Sequence, residues 1–145
     1  MAAESTANAV WEGDLAHGGG RVAPASGAFE EQEVTWASRT SRSAGKTSPE
    51  ELIAAAHAAC YAMAFSHTLA EGGHAPERVE VSATATFDTE GGPRISTMAL
   101  VVRGRVPGLE ESAFQEAANA AKDGCPVSGA LKGNVEITLD ATLEQ

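Results

Sequence analysis

Positive charge is scarce in this chain. Ten lysines and arginines stand against twenty aspartates and glutamates, which gives a formal net charge of −10. Nucleic acids and anionic membrane surfaces are bound through clusters of lysine and arginine, so the composition argues against both as partners. The first residues contain no basic segment followed by an apolar one, so no secretory signal is expected. We therefore expect a cytoplasmic protein, for which small neutral or apolar ligands remain open.

Several signatures of known chemistry are also missing. The sequence contains no CxxC pair, no glycine-rich phosphate loop, no dinucleotide fingerprint and no recognisable Ser-His-Asp order. Its only two cysteines, Cys60 and Cys125, are far apart and can meet only through the fold. In a reducing compartment a permanent structural disulfide is not expected, and a cysteine pair is more often catalytic, redox-sensing or metal-binding.

The hydrophobic pattern predicts a single domain over residues 1–145, long enough to bury a core. Three short strands are expected first, in the segments NAVWEGD, GRVAPA and EEQEVTWASR, the last of which ends at Arg39. The alternating segments RVEVSATATFD and RISTMALVVRGRV predict a later strand pair, and NVEITLDATL predicts a final strand. A helix is expected over about 110–123. The order βββ-α-ββ-α-β indicates an α+β fold with antiparallel sheets rather than βαβ crossovers.

The most informative element is a helix predicted from Pro49 to about Glu71. Ser48 at the N-cap and Glu51 three positions later form a capping box, with proline at the first helical position. From Leu52 to Phe65 the helix is apolar on nearly every side, so it must be enclosed on most sides rather than lie on a surface. A chain of this size offers few such partners, and we therefore predict an obligate homodimer.

The residues alone leave several roles open for the cysteines. Buried cysteine is common in cores, so Cys60 could be packing material. His57 and Cys60 share a helix face, but a zinc site would need two more ligands, and only His67, His74 and Cys125 are available, at irregular spacings. Cys125 precedes a proline at a helix start, where backbone N–H groups favour a thiolate. A possible cysteine redox pair in a soluble α+β dimer is as far as these patterns lead.

Two motifs, TSPEELIAAAHAACYAMAFSH and AKDGCPVSGAL, resemble the osmotically inducible protein C / organic hydroperoxide resistance (OsmC/Ohr) family of thiol peroxidases. The resemblance extends over nearly the whole chain, each motif holds one of the cysteines, and the HAAC and CPVS variants favour the OsmC branch. It implies an intertwined homodimer in which antiparallel sheets wrap around central helices, with active sites at the subunit interface.

The resemblance also implies a mechanism and its residues. Cys60 would be the peroxidatic cysteine that attacks an organic hydroperoxide, and Cys125 the resolving cysteine that forms a disulfide with it. A dithiol, typically a lipoylated protein, would reduce that disulfide, and no metal, haem or flavin cofactor is needed. The family's catalytic glutamate and arginine fall on Glu50 and Arg39. The spacing after Arg39 is one residue longer than usual, which makes Arg42 the competing candidate.

Three expectations concern what these residues would do together. Arg39 would stabilise the Cys60 thiolate, and Glu50 would position Arg39. Ten helical residues span about 15 Å, so either Arg39 bridges from Glu50 to Cys60 or one of the three comes from the partner subunit. Apolar walls formed by Tyr61, Met63 and Phe65 would favour organic hydroperoxides over hydrogen peroxide. A non-catalytic redox sensor or stress-response binding protein on the same fold is the alternative function.

Overall fold

The computed structural model describes residues 1–42 and 44–144. The chain forms two compact units, one over Met1–Leu52 and one over Ile53–Gln145, and each is described by itself. We refer to them as unit 1 and unit 2. The expectation of a single domain remains a prediction.

Unit 1 contains a three-stranded sheet and a short helix. Strands β1 (Ala7–Glu12), β2 (Gly19–Pro24) and β3 (Gln32–Val34) pair in that order, each antiparallel to the next. The predicted third strand is wrong beyond Val34, because helix α1 (Trp36–Ser41) follows it and carries Arg39. The cause is a capping box: the Thr35 hydroxyl accepts from the Ser38 backbone N–H, and the Ser38 hydroxyl accepts from the Thr35 N–H, both at 2.9 Å.

Helix α2 (Pro49–Glu71) has the predicted limits, beginning in unit 1 and continuing through unit 2. At its start the Ser48 hydroxyl accepts from the Glu51 backbone N–H at 3.1 Å, as an N-cap does. The Glu51 carboxylate accepts from the Thr47 hydroxyl and from the Arg42 guanidinium, at 2.7 and 3.2 Å. Ser48 therefore caps the helix, while Glu51 is held by side chains that precede it.

One face of α2 is buried and the opposite face is open. The buried residues recur at helical spacing: Ala54, His57, Tyr61, Phe65 and Leu69. The open face is also apolar, with Ala55, Ala56, Ala59 and a Met63 that is 73% exposed. By length and composition alone α2 would also suit a membrane span, but its regular buried stripe packs into the core of unit 2. The helix thus has an apolar face that a single chain leaves uncovered.

Unit 2 packs α2 and two further helices with a three-stranded sheet. Strands β4 (Arg78–Asp88) and β5 (Arg94–Arg105) form the predicted antiparallel pair. Strand β6 (Glu136–Glu144) adds to β5 in parallel, so the expectation of purely antiparallel sheets without a βαβ crossover is wrong for this unit. The crossover consists of α3 (Glu111–Gly124) and α4 (Pro126–Leu131), which are long enough to return the chain to the same end of the sheet.

Aromatic side chains from two helices form the centre of the unit 2 core. Tyr61, Phe65 and Phe114 are fully buried, and the rings of Phe65 and Phe114 meet edge to face with centroids 5.3 Å apart. Alternate residues of β5 (Met98, Leu100 and Val102) are buried in the same core. This packing fixes α2 against α3, so the position of each cysteine in unit 2 is set by a rigid element.

Candidate active site

The fold of unit 2 brings the two cysteines together. The Sγ atoms of Cys60 and Cys125 lie 3.1 Å apart, and both thiols are free. A disulfide bond is about 2.05 Å long, so this is a hydrogen-bonded thiol pair in which a covalent bond could form with a small movement. Cys60 is partly exposed, whereas Cys125 is 1% exposed. An external reagent therefore reaches Cys60 more easily than Cys125.

Cys125 lies at the junction of two helices. Its backbone N–H donates to the Ala121 carbonyl at the end of α3, and its carbonyl accepts from the Gly129 N–H in the first turn of α4, at 2.9 and 3.0 Å. Pro126 supplies the first residue of α4 and has no N–H to satisfy. The backbone of Cys125 is therefore anchored from both sides by regular structure.

The two thiols differ in acidity. Burial raises the pKa of Cys60; a backbone hydrogen bond from Val127 opposes this, while the hydrogen bond with Cys125 and the charge of Cys125 raise it further. Burial also acts to raise the pKa of Cys125, but hydrogen bonds from the Ser128 backbone, Cys60 and the Ser128 hydroxyl outweigh it, and its pKa falls below the ordinary value of 9.0.

His57 is a buried neighbour of the pair. Its ring Nε2 lies 2.8 Å from the Ser128 hydroxyl, and His57 is 0% and Ser128 5% exposed. The other ring nitrogen, Nδ1, has no hydrogen-bond partner among the described residues. Burial lowers the pKa of His57, so the ring is neutral near pH 7. His57 is therefore a packed, hydrogen-bonded histidine.

Unit 1 contains a second polar pair. Arg39 donates from Nε to both carboxylate oxygens of Glu50, at 2.9 and 3.1 Å, and from a terminal nitrogen to one of them at 2.9 Å. Glu50 is 3% exposed, and the Arg39 guanidinium carbon also lies 6.0 Å from the centroid of the Trp36 ring. This is the fork geometry in which arginine holds a carboxylate most firmly.

Arg42 has different partners from Arg39. It donates to the Ser38 carbonyl and the Ser48 hydroxyl, and it pairs with Glu51, whose side chain is 55% exposed. Of the two candidates, Arg39 is therefore the arginine that Glu50 holds, although it belongs to α1 and not to a strand.

The sequence predicted that Tyr61, Met63 and Phe65 would form apolar walls of the substrate site, but two of these side chains are inaccessible in this chain. Tyr61 and Phe65 are both 0% exposed, and the Tyr61 hydroxyl donates to the Ala118 carbonyl at 2.8 Å inside the core. A substrate cannot reach either ring in this chain. Met63 lies on the open face of α2.

His57 and Cys60 share a helix face, which the sequence left open as part of a zinc site. Within residues 1–42 and 44–144, no group of three or more histidine, cysteine, aspartate or glutamate side chains is arranged to hold a metal ion. His57 instead faces Ser128, which is a poor zinc ligand.

Comparison with known proteins identifies the family. The family model described as OsmC-like protein matches residues 42–140, a span that includes Glu50, Cys60 and Cys125. The chain belongs to the OsmC-like protein family. The resemblance found in the two motifs is therefore confirmed.

The similarity to OsmC proteins covers nearly the full length of the chain. Peroxiredoxin OsmC from Escherichia coli K12 is 41% identical over 145 residues, covering 99% of each chain. The crystal structure of the organic hydroperoxide resistance protein OhrB of Bacillus subtilis matches with a TM-score of 0.70 and 29% identity over 94% of this chain and 98% of that one. An OsmC-like protein from Mycoplasma pneumoniae matches with a TM-score of 0.76 at 16% identity, which shows the shared fold. The names of the first two relatives support a peroxidase-type role.

One residue of the OsmC-like site was not assigned a role from the sequence. Ser128 is part of the CPVS motif, three positions after Cys125 in the first turn of α4, and its hydroxyl lies 2.8 Å from the His57 ring. The C-x-x-S spacing is its local signal, but its partnership with His57 depends on the packing of α4 against α2.

Proposed function

We propose that this protein is a thiol-dependent peroxidase that reduces organic hydroperoxides to alcohols. The observation that carries the proposal is the pair of free thiols 3.1 Å apart, with one sulfur partly exposed and the other buried. An exposed nucleophile beside a sheltered second thiol suits a two-cysteine cycle. The names of the relatives, a peroxiredoxin and an organic hydroperoxide resistance protein, support the same assignment.

The cycle has three balanced steps. The Cys60 thiolate attacks the outer oxygen of ROOH, the O–O bond breaks, and one proton is taken up, which gives ROH and a sulfenic acid on Cys60. The Cys125 thiolate then attacks the Cys60 sulfur, and the hydroxyl group leaves as water after taking up a proton. An external dithiol of the lipoyl type reduces the Cys60–Cys125 disulfide by two exchange steps and becomes a cyclic disulfide.

The Arg39–Glu50 pair is proposed to supply the positive charge that the first step needs. Within unit 2, the pKa of Cys60 is raised, so a Cys60 thiolate requires a cation from elsewhere. Glu50 lies ten residues before Cys60 in α2, which corresponds to about 15 Å along the helix, and it already holds Arg39. We therefore assign the arginine at each thiol pair to the partner subunit of a homodimer.

The homodimer itself is proposed from the open faces of both units. The face of α2 opposite to its buried stripe is apolar, and every residue of β1 is exposed, including Val10 at 53% and Trp11 at 41%. Isolated soluble chains do not usually expose faces of this kind. A second copy of the chain that covers them agrees with the intertwined dimer implied by the resemblance.

One assay tests the proposed activity. Consumption of cumene hydroperoxide or tert-butyl hydroperoxide is followed with a dihydrolipoyl reductant for the wild type and for Cys60→Ser. We expect multiple turnovers for the wild type, none for Cys60→Ser, and a lower rate with hydrogen peroxide. A wild type that does not turn over any of these peroxides would overturn the enzyme assignment.

Two further results separate the alternatives. In Cys125→Ser, one equivalent of hydroperoxide should be reduced before the enzyme stalls as the Cys60 sulfenic acid, or a second equivalent should overoxidise Cys60, since the sulfenic acid has no partner thiol. Continued cycling would contradict the resolving role of Cys125. A wild type in which mass spectrometry detects the Cys60–Cys125 disulfide but which never turns over would instead be a redox sensor.

Mixing of variants tests the assignment of subunits. Cys60→Ser and Arg39→Ala are each expected to be inactive, but refolding them together produces heterodimers with one complete site if arginine and thiols come from different chains. About a quarter of the sites in a one-to-one mixture are then complete, so about a quarter of the wild-type activity is expected. A mixture that stays inactive would place all three residues in one chain.

A further inference from the structure

A hydrogen bond between two buried side chains joins α2 to α4 beside the cysteines. The His57 ring Nε2 lies 2.8 Å from the Ser128 hydroxyl, and the two residues are 0% and 5% exposed. His57 precedes Cys60 by three residues in α2, and Ser128 follows Cys125 by three residues in α4. The hydrogen bond therefore crosses between the helices about one helical turn from each sulfur. The proposed cycle gives neither residue a step.

The position of α4 depends on this hydrogen bond more than that of a longer helix would. The helix has six residues, too few to be stable by themselves. The structure describes all six, and Ser128 is the only buried one, while Val127 and Leu131 pack against the core but stay partly exposed. A serine buries little apolar surface, and a buried hydroxyl without a partner costs free energy. Its bond to His57 therefore helps to fix where α4 lies against α2.

The second ring nitrogen of His57 indicates which group donates. Burial lowers the pKa of His57, so the ring is neutral near pH 7 and carries one N–H. Nδ1 is buried without a hydrogen-bond partner among the described residues, and buried N–H groups without an acceptor are rare. The proton therefore belongs on Nε2, which donates to the Ser128 oxygen. A glutamine amide at position 57 would supply a similar donor.

We propose that His57 and Ser128 are positioning residues that hold Cys125 within reach of Cys60, and so set the effective concentration of one thiol at the other. The two free sulfurs lie 3.1 Å apart, so closing to a disulfide bond of about 2.05 Å needs only a small movement. In the disulfide, the covalent bond itself holds α4 to α2. In the dithiol form, the hydrogen bond does so, and it reduces the freedom that the chain loses when the disulfide forms.

This proposal deepens the proposed function, on which it rests, because it names residues that speed the second step of the cycle. In that step the Cys125 thiolate attacks the sulfur of the Cys60 sulfenic acid, the S–S bond forms, and the S–O bond breaks. The hydroxyl group takes up a proton and leaves as water. A Cys125 that waits beside Cys60 completes this step before a second hydroperoxide molecule can oxidise the sulfenic acid further.

The test measures the equilibrium between disulfide and dithiol in the full-length protein, without any peroxide. Protein oxidised with diamide is incubated with mixtures of reduced and oxidised dithiothreitol, quenched with acid and alkylated, and mass spectrometry gives the oxidised fraction. We expect Ser128→Ala to be half reduced at an about fivefold lower ratio of reduced to oxidised dithiothreitol than the wild type, as the loss of one buried hydrogen bond predicts. His57→Leu should shift the ratio by the same factor.

Paired variants distinguish positioning from a general loss of packing. The double variant His57→Leu with Ser128→Ala should shift the ratio by about fivefold, and not by about twenty-five-fold, because both changes remove the same bond. His57→Gln, which keeps an N–H donor, should recover most of the wild-type ratio. Val102→Ala is the control, since it removes apolar volume from a 0%-exposed residue of the same core. It should lower the stability in urea and leave the ratio unchanged.

Three results would overturn the proposal: a wild-type ratio in Ser128→Ala, additive shifts in the double variant, or an equal shift in Val102→Ala. A wild type without peroxidase turnover would refute the proposed function alone, because the diamide-formed disulfide is tested independently. In a wild type that turns over, Cys60 of Ser128→Ala should be overoxidised at an about fivefold lower hydroperoxide concentration, since the disulfide forms more slowly. Equal sensitivity of the two proteins would contradict the positioning role.

Discussion

At the scale of single residues, the chemistry of this chain is set by neighbours that are distant in the sequence. Cys60 and Cys125 are the same residue type, yet the pKa of Cys60 is raised and that of Cys125 is lowered. The difference arises because hydrogen bonding with Ser128 and Cys60 lowers the pKa of Cys125, whereas burial and the neighbouring Cys125 raise that of Cys60. Burial acts to raise both pKa values, so the hydrogen-bond partners decide which thiol is the stronger acid.

The two arginines near Glu50 and Glu51 allow a matched comparison of stability. Arg39→Ala leaves the 3%-exposed Glu50 carboxylate without its bidentate partner, and we expect a loss of about 1.5–3 kcal/mol in the free energy of unfolding. Arg42→Ala removes a pair whose side chains are about half exposed, together with hydrogen bonds to the Ser38 carbonyl and the Ser48 hydroxyl, and we expect a smaller loss of about 1 kcal/mol. Urea unfolding at one protein concentration measures both, and equal losses would contradict the distinction.

His57 should make the stability of the protein sensitive to acid. Its pKa in the folded chain lies below the ordinary value of 6.5, so as the pH falls through 6.5 the unfolded chain takes up a proton that the folded chain does not. The free energy of unfolding therefore falls with decreasing pH, by at most about 1.4 kcal/mol per pH unit from this group. His57→Gln should lose less stability than the wild type between pH 7.5 and pH 5 in urea unfolding. Parallel curves for the two proteins would show that His57 does not contribute.

At the scale of elements, clear capping residues and clear alternation predicted the correct helices and strands, whereas segments with weaker patterns did not. The proline and serine that start α2 and the alternation in β4 and β5 predicted those elements at or close to their observed bounds. The prediction of a strand beyond Val34 is wrong. A capping box at Thr35 starts helix α1 there instead. The parallel pairing of β6 was also missed, because alternation predicts a strand but does not give its direction.

One glycine of β5 tests how closely the elements of unit 2 pack. A Cβ atom at Gly104 would lie 2.8 Å from the ring of Phe114, which is itself fully buried. Gly104→Ala should therefore cost about 1–3 kcal/mol through overpacking. Gly124→Ala is the matched control, because a Cβ there meets nothing within 4 Å and replacing a helical glycine gains up to about 1 kcal/mol. Thermal unfolding compares the two, and a Gly104→Ala protein as stable as the control would show that Phe114 moves aside.

At the scale of the whole molecule, a single chain leaves apolar surface uncovered in both units. The open face of α2 in particular consists of alanines and Met63, small enough for another helix to approach closely. We expect Ala59→Glu to convert the proposed dimer into a monomer, since the carboxylate would be buried without a partner. Ala120→Glu, on the exposed side of α3, should stay dimeric and is the control. Light scattering coupled to size-exclusion chromatography measures the mass, and a dimeric Ala59→Glu would place the interface elsewhere.

The sequence by itself determined the family, the limits of α2 and the four residues proposed for catalysis, because motif spacing, capping residues and hydrophobic periodicity are local properties of a chain. Three features depended on the tertiary structure: the 3.1 Å approach of the two sulfurs, the bidentate pairing of Arg39 with Glu50, and the hydrogen bond between His57 and Ser128. Each joins residues of different elements, and such distances are fixed by the packing of helices and strands. Sequence spacing does not encode them directly.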